Sequence, residues 1–166
     1  MKTLVKSPAL WILQSGPNFD WSPDSKWIVF DVPKERGSTI DALNLETGRR
    51  VMVATTARGG TNPKWLPNGK GIFFAADGDL GEDLFLVDLV PADPTFTEDD
   101  LDKMDEKPEK KDDKPVVEID EHFLLERTRR LATNVSGAVA VGPQIYANVA
   151  GQYSTVSVAS GAINPV

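Results

Sequence analysis

The chain has 166 residues, the length of one domain, and carries a formal net charge of −7 because 25 Asp and Glu outnumber 18 Lys and Arg. This acidity, with no basic stripe interleaved with aromatic residues, argues against a nucleic-acid surface. The lack of cysteine excludes disulfides, a thiol nucleophile and cysteine-based metal sites, and no stretch is apolar for long enough to span a membrane.

The first predicted strands surround a segment that begins at Asn18. Residues 1–16 supply one strand before it. Pro23 and Asp24 lie in a turn, because proline presets φ and aspartate can hydrogen-bond its own backbone. The run that follows is rich in β-branched and aromatic residues and almost continuously apolar, which is typical of an inner strand buried on both faces. The predicted strands are Asn18–Trp21, Lys26–Val32, Thr39–Leu45 and Arg50–Ala54.

The same plan recurs 44 residues later. When Trp65 is superposed on Trp21, residues 62–76 match residues 18–32 at an asparagine, a tryptophan, a proline, a lysine, an isoleucine and a phenylalanine. A strand-rich repeat of about 40–50 residues is typical of a β-propeller blade, and each blade contains four antiparallel strands joined by hairpins. We therefore predict an all-β fold, a β-propeller fragment of about three four-stranded antiparallel blades that is incomplete at both ends.

A third copy keeps the order of the strands but loses the Trp-Ser-Pro-Asp turn. We expect the chain to end where the fourth strand of this copy would begin. The strands predicted after the first copy are Asn62–Trp65, Gly71–Ala75, Asp83–Leu89, Gly137–Val141, Gln144–Val149 and Thr155–Ala159. The predicted units are residues 1–16 (last strand of a preceding blade), 17–57 (a blade), 58–90 with 116–133 (a second blade), 91–115 (an insertion) and 134–166 (a partial blade).

The insertion at residues 91–115 holds more than half of the acidity of the chain. Between Glu98 and Lys114 it contains nine acidic residues and five lysines, a net charge of −4. A segment of this composition cannot bury enough apolar surface to offset its ordering entropy, so we predict that it is disordered. It is expected to tether two strands across the edge of a blade; the alternative is a tail that docks on a specific partner.

The repeat is similar to the blade repeat of TolB-like and tricorn-type propellers. The resemblance rests on FDWSPDSKWIVF, then a strand ending in LETG, then PKWLPNGK. The succession LFLVDL, an acidic tract, KPVVEID and ERTRRLA resembles the second propeller of tricorn proteases and their bacterial homologues. In that family a V-x-I-D stretch closes the blade, and Val117–Asp120 matches it. The resemblance covers most of residues 17–137.

The resemblance implies a role in proteolysis without implying catalysis by this chain. Tricorn-type enzymes are large serine peptidases that trim short peptides, and their propellers guide substrates and products. Their catalytic residues lie in C-terminal domains beyond the matched part, so no catalytic, cofactor-binding or metal-binding residue is assigned here. The predicted function is a non-catalytic propeller segment of a tricorn-type serine peptidase that guides or gates peptides. The alternatives are a TolB-like protein-binding module without enzymatic activity and a fragment without independent function.

The expected partners follow from the open ends of the predicted propeller. They are peptides, the remainder of a larger peptidase or further blades, and an open blade face with unpaired strand edges favours self-association. Nucleic acid and membranes are not expected as partners. Ala9–Leu13 is too short for a signal-peptide core, so we expect a cytoplasmic location, or a periplasmic one if an N-terminal signal is missing.

Two polar segments are candidate sites. His122, the sole histidine, has acidic neighbours and could act as a base, but a catalytic base must also reach a hydroxyl; we expect it to be exposed to solvent. Asp77–Asp83 resembles a calcium loop, yet it misses the EF-hand pattern because glycine stands fifth rather than sixth. A polar hairpin loop is the favoured interpretation, with an adventitious Ca²⁺ site as the alternative.

The aromatic and basic candidates have structural interpretations as well. The tryptophans could stack on ligands, but their repeat positions favour packing between blades, with Trp11 the least certain of them. An arginine cluster could bind a peptide carboxylate, although pairing with the acidic insertion or exposure to solvent is favoured. The residues concerned are Trp11, Trp21, Trp27, Trp65, Arg127, Arg129 and Arg130.

Overall fold

A computed structural model describes residues 18–91 and 115–166. The predictions for residues 1–16, for Trp11 and for most of the acidic insertion lie outside these residues. The described elements are β1 (Phe19–Trp21), β2 (Trp27–Pro33), β3 (Ser38–Asn44), β4 (Arg50–Thr55), β5 (Thr61–Trp65), β6 (Gly71–Asp77), β7 (Glu82–Asp88), a 3₁₀ turn (Leu124–Arg127), β8 (Thr128–Ala132), β9 (Val135–Val141), β10 (Gln144–Val149), β11 (Gln152–Ser157) and β12 (Ile163–Pro165).

The strands form three four-stranded antiparallel sheets, which we call blades 1, 2 and 3. Blade 1 has the order β1-β2-β3-β4, blade 2 the order β5-β6-β7-β8, and blade 3 the order β9-β10-β11-β12. Each blade is therefore a meander in which consecutive strands are neighbours. The all-β prediction and the prediction of about three four-stranded antiparallel blades are confirmed.

The 44-residue repeat is reproduced in the pairing of the strands. In blade 1, Trp21 lies opposite Ile28, and in blade 2, Trp65 lies opposite Ile72. The turn after the first strand is shared too, since Ser25 and Gly69 both adopt positive φ, at 63° and 72°. Each turn is closed by a short backbone hydrogen bond, from Ser22 to Trp27 at 3.0 Å and from Leu66 to Gly71 at 2.9 Å.

Two apolar cores lie between the blades, as expected when inner strands are buried on both faces. The first joins blades 1 and 2 and includes Trp27, Val29, Ile40, Ala42, Val51, Val53, Trp65, Ile72, Phe74, Val87, Leu89, Val117, Ile119 and Leu124. The second joins blades 2 and 3 and includes Leu66, Phe73, Leu84, Leu86, Leu131, Ala132, Val135, Ile145, Ala147 and Val156. Blade 2 is thus covered on both faces.

Two strand predictions are wrong. Blade 3 has a fourth strand, because the turn at Ser160-Gly161 reverses the chain early enough for Ile163 to pair with Val156. Its three residues are too few to show a strand pattern in the sequence. Residues 117–120 form no strand, and β8 closes blade 2 instead. Val117 and Ile119 are nevertheless buried, so their apolar alternation reflects packing on the first core.

Candidate functional site

The outer face of blade 1 exposes positions that are buried in blade 2. Trp21 is 53% exposed, whereas Trp65, at the same position of the repeat, is 5% exposed. Trp65 packs in the core between blades 1 and 2, and its backbone N–H donates to Oδ2 of Asp20 at 2.9 Å. In the described residues no blade lies against Trp21. The prediction that the repeat tryptophans pack between blades therefore holds for Trp27 and Trp65, whereas Trp21 packs against no blade within the described residues.

We call this surface the blade 1 open face. Directly paired residues of neighbouring strands point to the same side of a sheet, which places Phe19, Trp21, Ile28 and Met52 on one face. Phe19, Trp21 and Met52 are exposed large apolar side chains. Large apolar side chains are thus exposed at more than one strand of this face.

Arginine and aspartate cover the middle of the blade 1 open face. Nε of Arg50 lies 2.8 Å from Oδ2 of Asp41, whose side chain is buried. The guanidinium of Arg50 also lies 5.3 Å from the ring centroid of Phe30, at a distance that allows a cation–π contact. Phe30 is consequently shielded although it belongs to the same face, and the exposed apolar surface is divided into an inner part at Phe19 and Trp21 and an outer part at Met52.

Blade 3 presents the second open face. Val139 of β9 lies opposite Tyr146 of β10, and Val141 lies on the same side of β9. All three are exposed together with Tyr153. Both open faces expose two aromatic side chains, but the blade 3 open face also carries Asn148 and Thr155 among its apolar residues. The two open faces are on opposite ends of the row of blades and differ in chemistry.

A groove borders the outer edge of β4. Its volume is about 410 Å³, and it lies between the strand and the 3₁₀ turn. Met52, Phe123 and Leu125 expose apolar side chains there, while Leu124 is buried and anchors the turn in the first core. The residues that line this β4 groove are Arg50, Val51, Met52, Glu121, Phe123, Leu124, Leu125 and Glu126.

The chain that follows the insertion is held by two polar clusters. Oδ2 of Asp24 accepts a hydrogen bond from the N–H of Val117 at 3.1 Å, and the N–H of Asp120 donates to the carbonyl of Leu89 at 3.0 Å. The hydrogen bond from the N–H of His122, helped by the His122 ring and by Arg127, outweighs burial and lowers the pKa of Asp120. The segments that precede and follow the insertion are thus held together by the hydrogen bond between Asp120 and Leu89.

His122 lies in the turn before the 3₁₀ turn, and its side chain is 90% exposed. Its Nδ1 is 3.1 Å from Oδ1 of Asp120. This position agrees with the solvent-exposed interpretation. A carboxylate partner is present, but the ring projects into solvent rather than into a cleft.

The Asp77–Asp83 segment is the hairpin loop between β6 and β7, as the favoured interpretation predicts. Its carboxylates face arginines: Asp79 lies 2.5 Å from Arg58, and the buried Asp83 lies 3.1 Å from Arg130. The hydrogen bond from Arg58 to Asp79 raises the pKa of the arginine. Across residues 18–91 and 115–166, no group of three His, Asp or Glu side chains could hold a metal ion.

The arginines of the cluster are oriented by strand β7 and by Asp120. Arg129 lies 3.4 Å from Asp88, and Arg130 pairs with Asp83 of the same strand. Arg127 contacts Asp120 and is largely buried. Antiparallel pairing of β7 with β8 places carboxylates of β7 within reach of Arg129 and Arg130. Arg130 is nevertheless 58% exposed, which agrees with the solvent-facing expectation. The expected pairing with the acidic insertion concerns residues outside the described ranges.

Some residues that shape these surfaces gave no signal in the sequence. Phe123 and Leu125 stand in a charged stretch without strand periodicity, and Met52 resembles any residue of an amphipathic strand. Asp24 bonds to the local backbone at Lys26, as its turn position predicts, but its further contact with Val117, 93 positions away, has no signal in the sequence. The described part of the chain forms no helix that is long and apolar enough to cross a membrane.

The chain matches no protein-family model, and no curated protein matches it in sequence. Solved structures share its fold. It is similar to a putative TolB from Agrobacterium tumefaciens (TM-score 0.58, 12% identity, 98% of this chain and 50% of that one) and to TolB from Acinetobacter baumannii (TM-score 0.51, 16% identity, 90% and 31%). It is also similar to the tricorn protease (TM-score 0.61, 11% identity, 99% and 19%).

These similarities establish a β-propeller module. The chain spans half or less of the length of each of these structures. At identities between 11% and 16%, the likeness concerns the fold alone.

Proposed function

We propose that this chain is a non-catalytic β-propeller module that works by holding protein or peptide partners against its blades. The observation that carries the proposal is the contrast between Trp21 and Trp65, which occupy one repeat position and differ in exposure from 53% to 5%. Within the described residues, a repeat position that is buried between blades in blade 2 is half exposed on blade 1. Burying a large apolar side chain stabilises by about 1.5–3 kcal/mol, so this face favours a protein contact.

The finer form of the proposal is a propeller segment of a tricorn-type serine peptidase that guides or gates peptides. It is supported by the similarity of 99% of this chain to part of the tricorn protease and by the resemblance of the repeat. The alternative is a TolB-like protein-binding module without enzymatic activity, which the similarity to two TolB structures supports equally. Propellers host many unrelated functions, so the fold does not decide between the two.

Two measurements on the 166-residue chain test the general proposal. A fluorophosphonate probe, which labels activated serines, should leave the chain unlabelled, because no serine in the described residues is hydrogen-bonded to His122, whose ring faces Asp120 and solvent. Phage-displayed random peptides should be enriched on the folded chain and not on the heat-unfolded chain. Labelling of a serine, or a failure to enrich peptides, would overturn the proposal.

The tricorn-type and TolB-like hypotheses differ in whether a serine peptidase domain belongs to the same protein as the blades. The coding sequence beyond Val166 should be read first. A continuation through further blades into a serine peptidase domain would support the tricorn-type role in handling peptides. A continuation or termination without such a domain would favour the TolB-like module.

A further inference from the structure

The β4 groove lies along an unpaired strand edge. β4 is the last strand in the order of blade 1, so one of its sides has no neighbouring strand. In an antiparallel ladder, the N–H and C=O groups of alternate residues point to opposite sides. The N–H of Asn44 donates to the carbonyl of Arg49, so the residues at this end whose backbone groups point away from β3 are Arg50 and Met52. Such groups form a template for another strand.

An exposed aromatic residue with a strained backbone flanks this edge. Phe123 has φ 53° and ψ 27°, a left-handed conformation that is rare for a bulky residue. Its side chain is nevertheless exposed, so it does not offset this strain by packing in the core. Strained residues of this kind are found at ligand contacts. Leu125 and Met52 extend the apolar surface on either side of the groove.

The charges around the groove favour a basic ligand. Glu121 is paired with Arg49, and Arg50 is paired with Asp41. Glu126 lines the groove and makes no salt bridge within the described residues. An unneutralised carboxylate therefore remains at one end of an apolar groove, in a chain whose net charge is −7.

We propose that the β4 groove binds an extended peptide, which adds to β4 as a fifth strand of blade 1. Backbone hydrogen bonds to Arg50 and Met52 would supply affinity, and apolar side chains of the peptide would contact Met52, Phe123 and Leu125. A basic residue of the peptide lies against Glu126. This inference deepens the proposed function and rests on it, because it names the surface and the class of partner.

The position of the groove keeps it accessible in a complete propeller. The first strands of blades 1 and 2 lie together, since Trp65 of β5 bonds to Asp20 of β1. First strands line the axis of a propeller and fourth strands lie at its periphery. The edge of β4 and Met52 beside it therefore stay open when a further blade covers the inner part of the blade 1 open face, at Phe19 and Trp21.

A defined probe tests the inference. The probe is a fluorescein-labelled eight-residue peptide of alternating valine and threonine with lysine at both ends. It should bind the ¹⁵N-labelled chain and shift the amide resonances of Arg50 and Met52. A peptide methylated at alternate amide nitrogens cannot complete the ladder and should bind at least ten-fold more weakly. Equal binding of the methylated peptide would overturn the inference.

The variant Phe123→Gly separates binding from stability. Glycine adopts positive φ freely, so this change relieves strain and should not lower the unfolding midpoint, while the affinity for the probe should fall at least five-fold. Glu126→Gln should lower the affinity for the peptide with lysine at both ends and should leave the affinity for a peptide with neutral ends unchanged. The matched control is Tyr153→Ala, which removes an exposed aromatic from blade 3 and should leave the affinity unchanged.

The outcomes distinguish this inference from the proposed function. If Phe123→Gly and Glu126→Gln bind the probe as tightly as the unchanged chain, the β4 groove is not the site, and the inference is wrong. Peptides enriched by phage display would in that case bind elsewhere on the module, which leaves the proposed function standing. If no peptide is enriched at all, the proposed function itself fails.

Discussion

Asp24 joins the turn of blade 1 to the chain that follows the insertion. One of its carboxylate oxygens accepts hydrogen bonds from the Ser22 hydroxyl and from the N–H of Lys26, and the other accepts from the N–H of Val117. Burial raises the pKa of Asp24, but these three hydrogen bonds outweigh it and the net pKa is lowered. Asn68, at the same position of the next repeat, accepts from the N–H of Lys70.

We expect Asp24→Asn to lower the free energy of unfolding by about 1–2 kcal/mol at pH 7, because hydrogen bonds to a charged group contribute about 1.5–3 kcal/mol and an amide retains part of them. A depressed pKa means that the carboxylate stabilises the fold above its ordinary value of about 3.9. That contribution is lost as the pH falls through the lower folded value. Urea unfolding should therefore show the difference at pH 7 and a smaller one near pH 3.

Asp79→Asn is the matched control for this prediction. Asp79 also loses a charge, but its side chain is 85% exposed and pairs with an exposed arginine. Exposed pairs contribute little, so its effect should stay within about 0.5 kcal/mol. Equal unfolding curves for Asp24→Asn and the unchanged chain at pH 7 would show that the contact with Val117 does not hold the two segments together.

At the scale of elements, Arg127 fixes β8 against the segments on both sides of the insertion. Its guanidinium donates to the carbonyl of Leu89, at 3.3 Å, and to the carbonyl of Asp120. Nη1 lies 3.7 Å from the Asp120 carboxylate. The Nε and Nη1 atoms are buried without a hydrogen-bond partner in the described structure, so the cation is incompletely satisfied.

We expect Arg127→Met to cost about 1–3 kcal/mol of unfolding free energy, because it removes the hydrogen bonds of the guanidinium to the carbonyls of Leu89 and Asp120. The incomplete satisfaction of the arginine keeps the cost below that of a fully bonded buried pair, which is about 3–5 kcal/mol. Urea unfolding provides the measurement. Arg58→Met, which breaks the exposed pair with Asp79, removes the same charge and should leave the urea midpoint nearly unchanged.

The prediction is contradicted if the two arginine variants unfold at the same urea concentration. In that case the contacts of Arg127 would be a consequence of how β8 is placed and would not hold β8 in place. The hydrogen bond between Asp120 and Leu89 would then be sufficient to align β8 with β7.

The sequence predicts strands where local chemistry is strong. The apolar runs at residues 27–30 and 72–74, each preceded by a Pro-containing turn, correspond to β2 and β6 with the expected 44-residue offset. Residues 117–120 show the opposite case, because the family resemblance implies that they close the blade and the structure places them against a core instead. The strand that completes blade 2 is determined by its pairing with β7. β7 pairs with β8, because the arginines of β8 lie beside the carboxylates of β7. Contacts of that range are not encoded in local patterns.

The candidate surfaces were less predictable than the strands for the same reason. Trp21 and Trp65 are indistinguishable in the repeat, and their different exposure depends on which blades are adjacent. The β4 groove combines a strand edge with a turn more than 70 positions later in the chain. The repeat shows which faces a blade offers; the arrangement of blades decides which faces remain open.

At the scale of the whole molecule, the described residues form a row of three blades with two different ends. Propellers close with about 4–8 blades, so three blades alone do not complete a ring. The blade 1 open face carries tryptophan and phenylalanine, whereas the blade 3 open face carries valine and tyrosine. Within the row, each interface joins two unlike faces. If two chains associate in the same way, the blade 1 open face of one chain contacts the blade 3 open face of the other. This head-to-tail arrangement would bring six blades together.

We expect the isolated chain to self-associate through these two faces, and single substitutions should abolish it. Trp21→Ser removes an aromatic from the blade 1 open face and Tyr146→Ser removes one from the blade 3 open face; each should give a monomer in sedimentation velocity. Because both side chains are about half exposed, each should cost less than about 1 kcal/mol of stability. Trp65→Ala, at the buried repeat position, should instead cost about 3–5 kcal/mol.

Mixing the two variants tests the head-to-tail arrangement. The Trp21→Ser chain keeps an intact blade 3 face, and the Tyr146→Ser chain keeps an intact blade 1 face, so a mixture retains one complete interface and should contain dimers that neither variant forms alone. If blade 1 faces paired with each other instead, Tyr146→Ser alone would remain a dimer and mixing would add nothing. A monomeric unchanged chain with cooperative unfolding would contradict self-association in either form, since its open faces would then be stable in water.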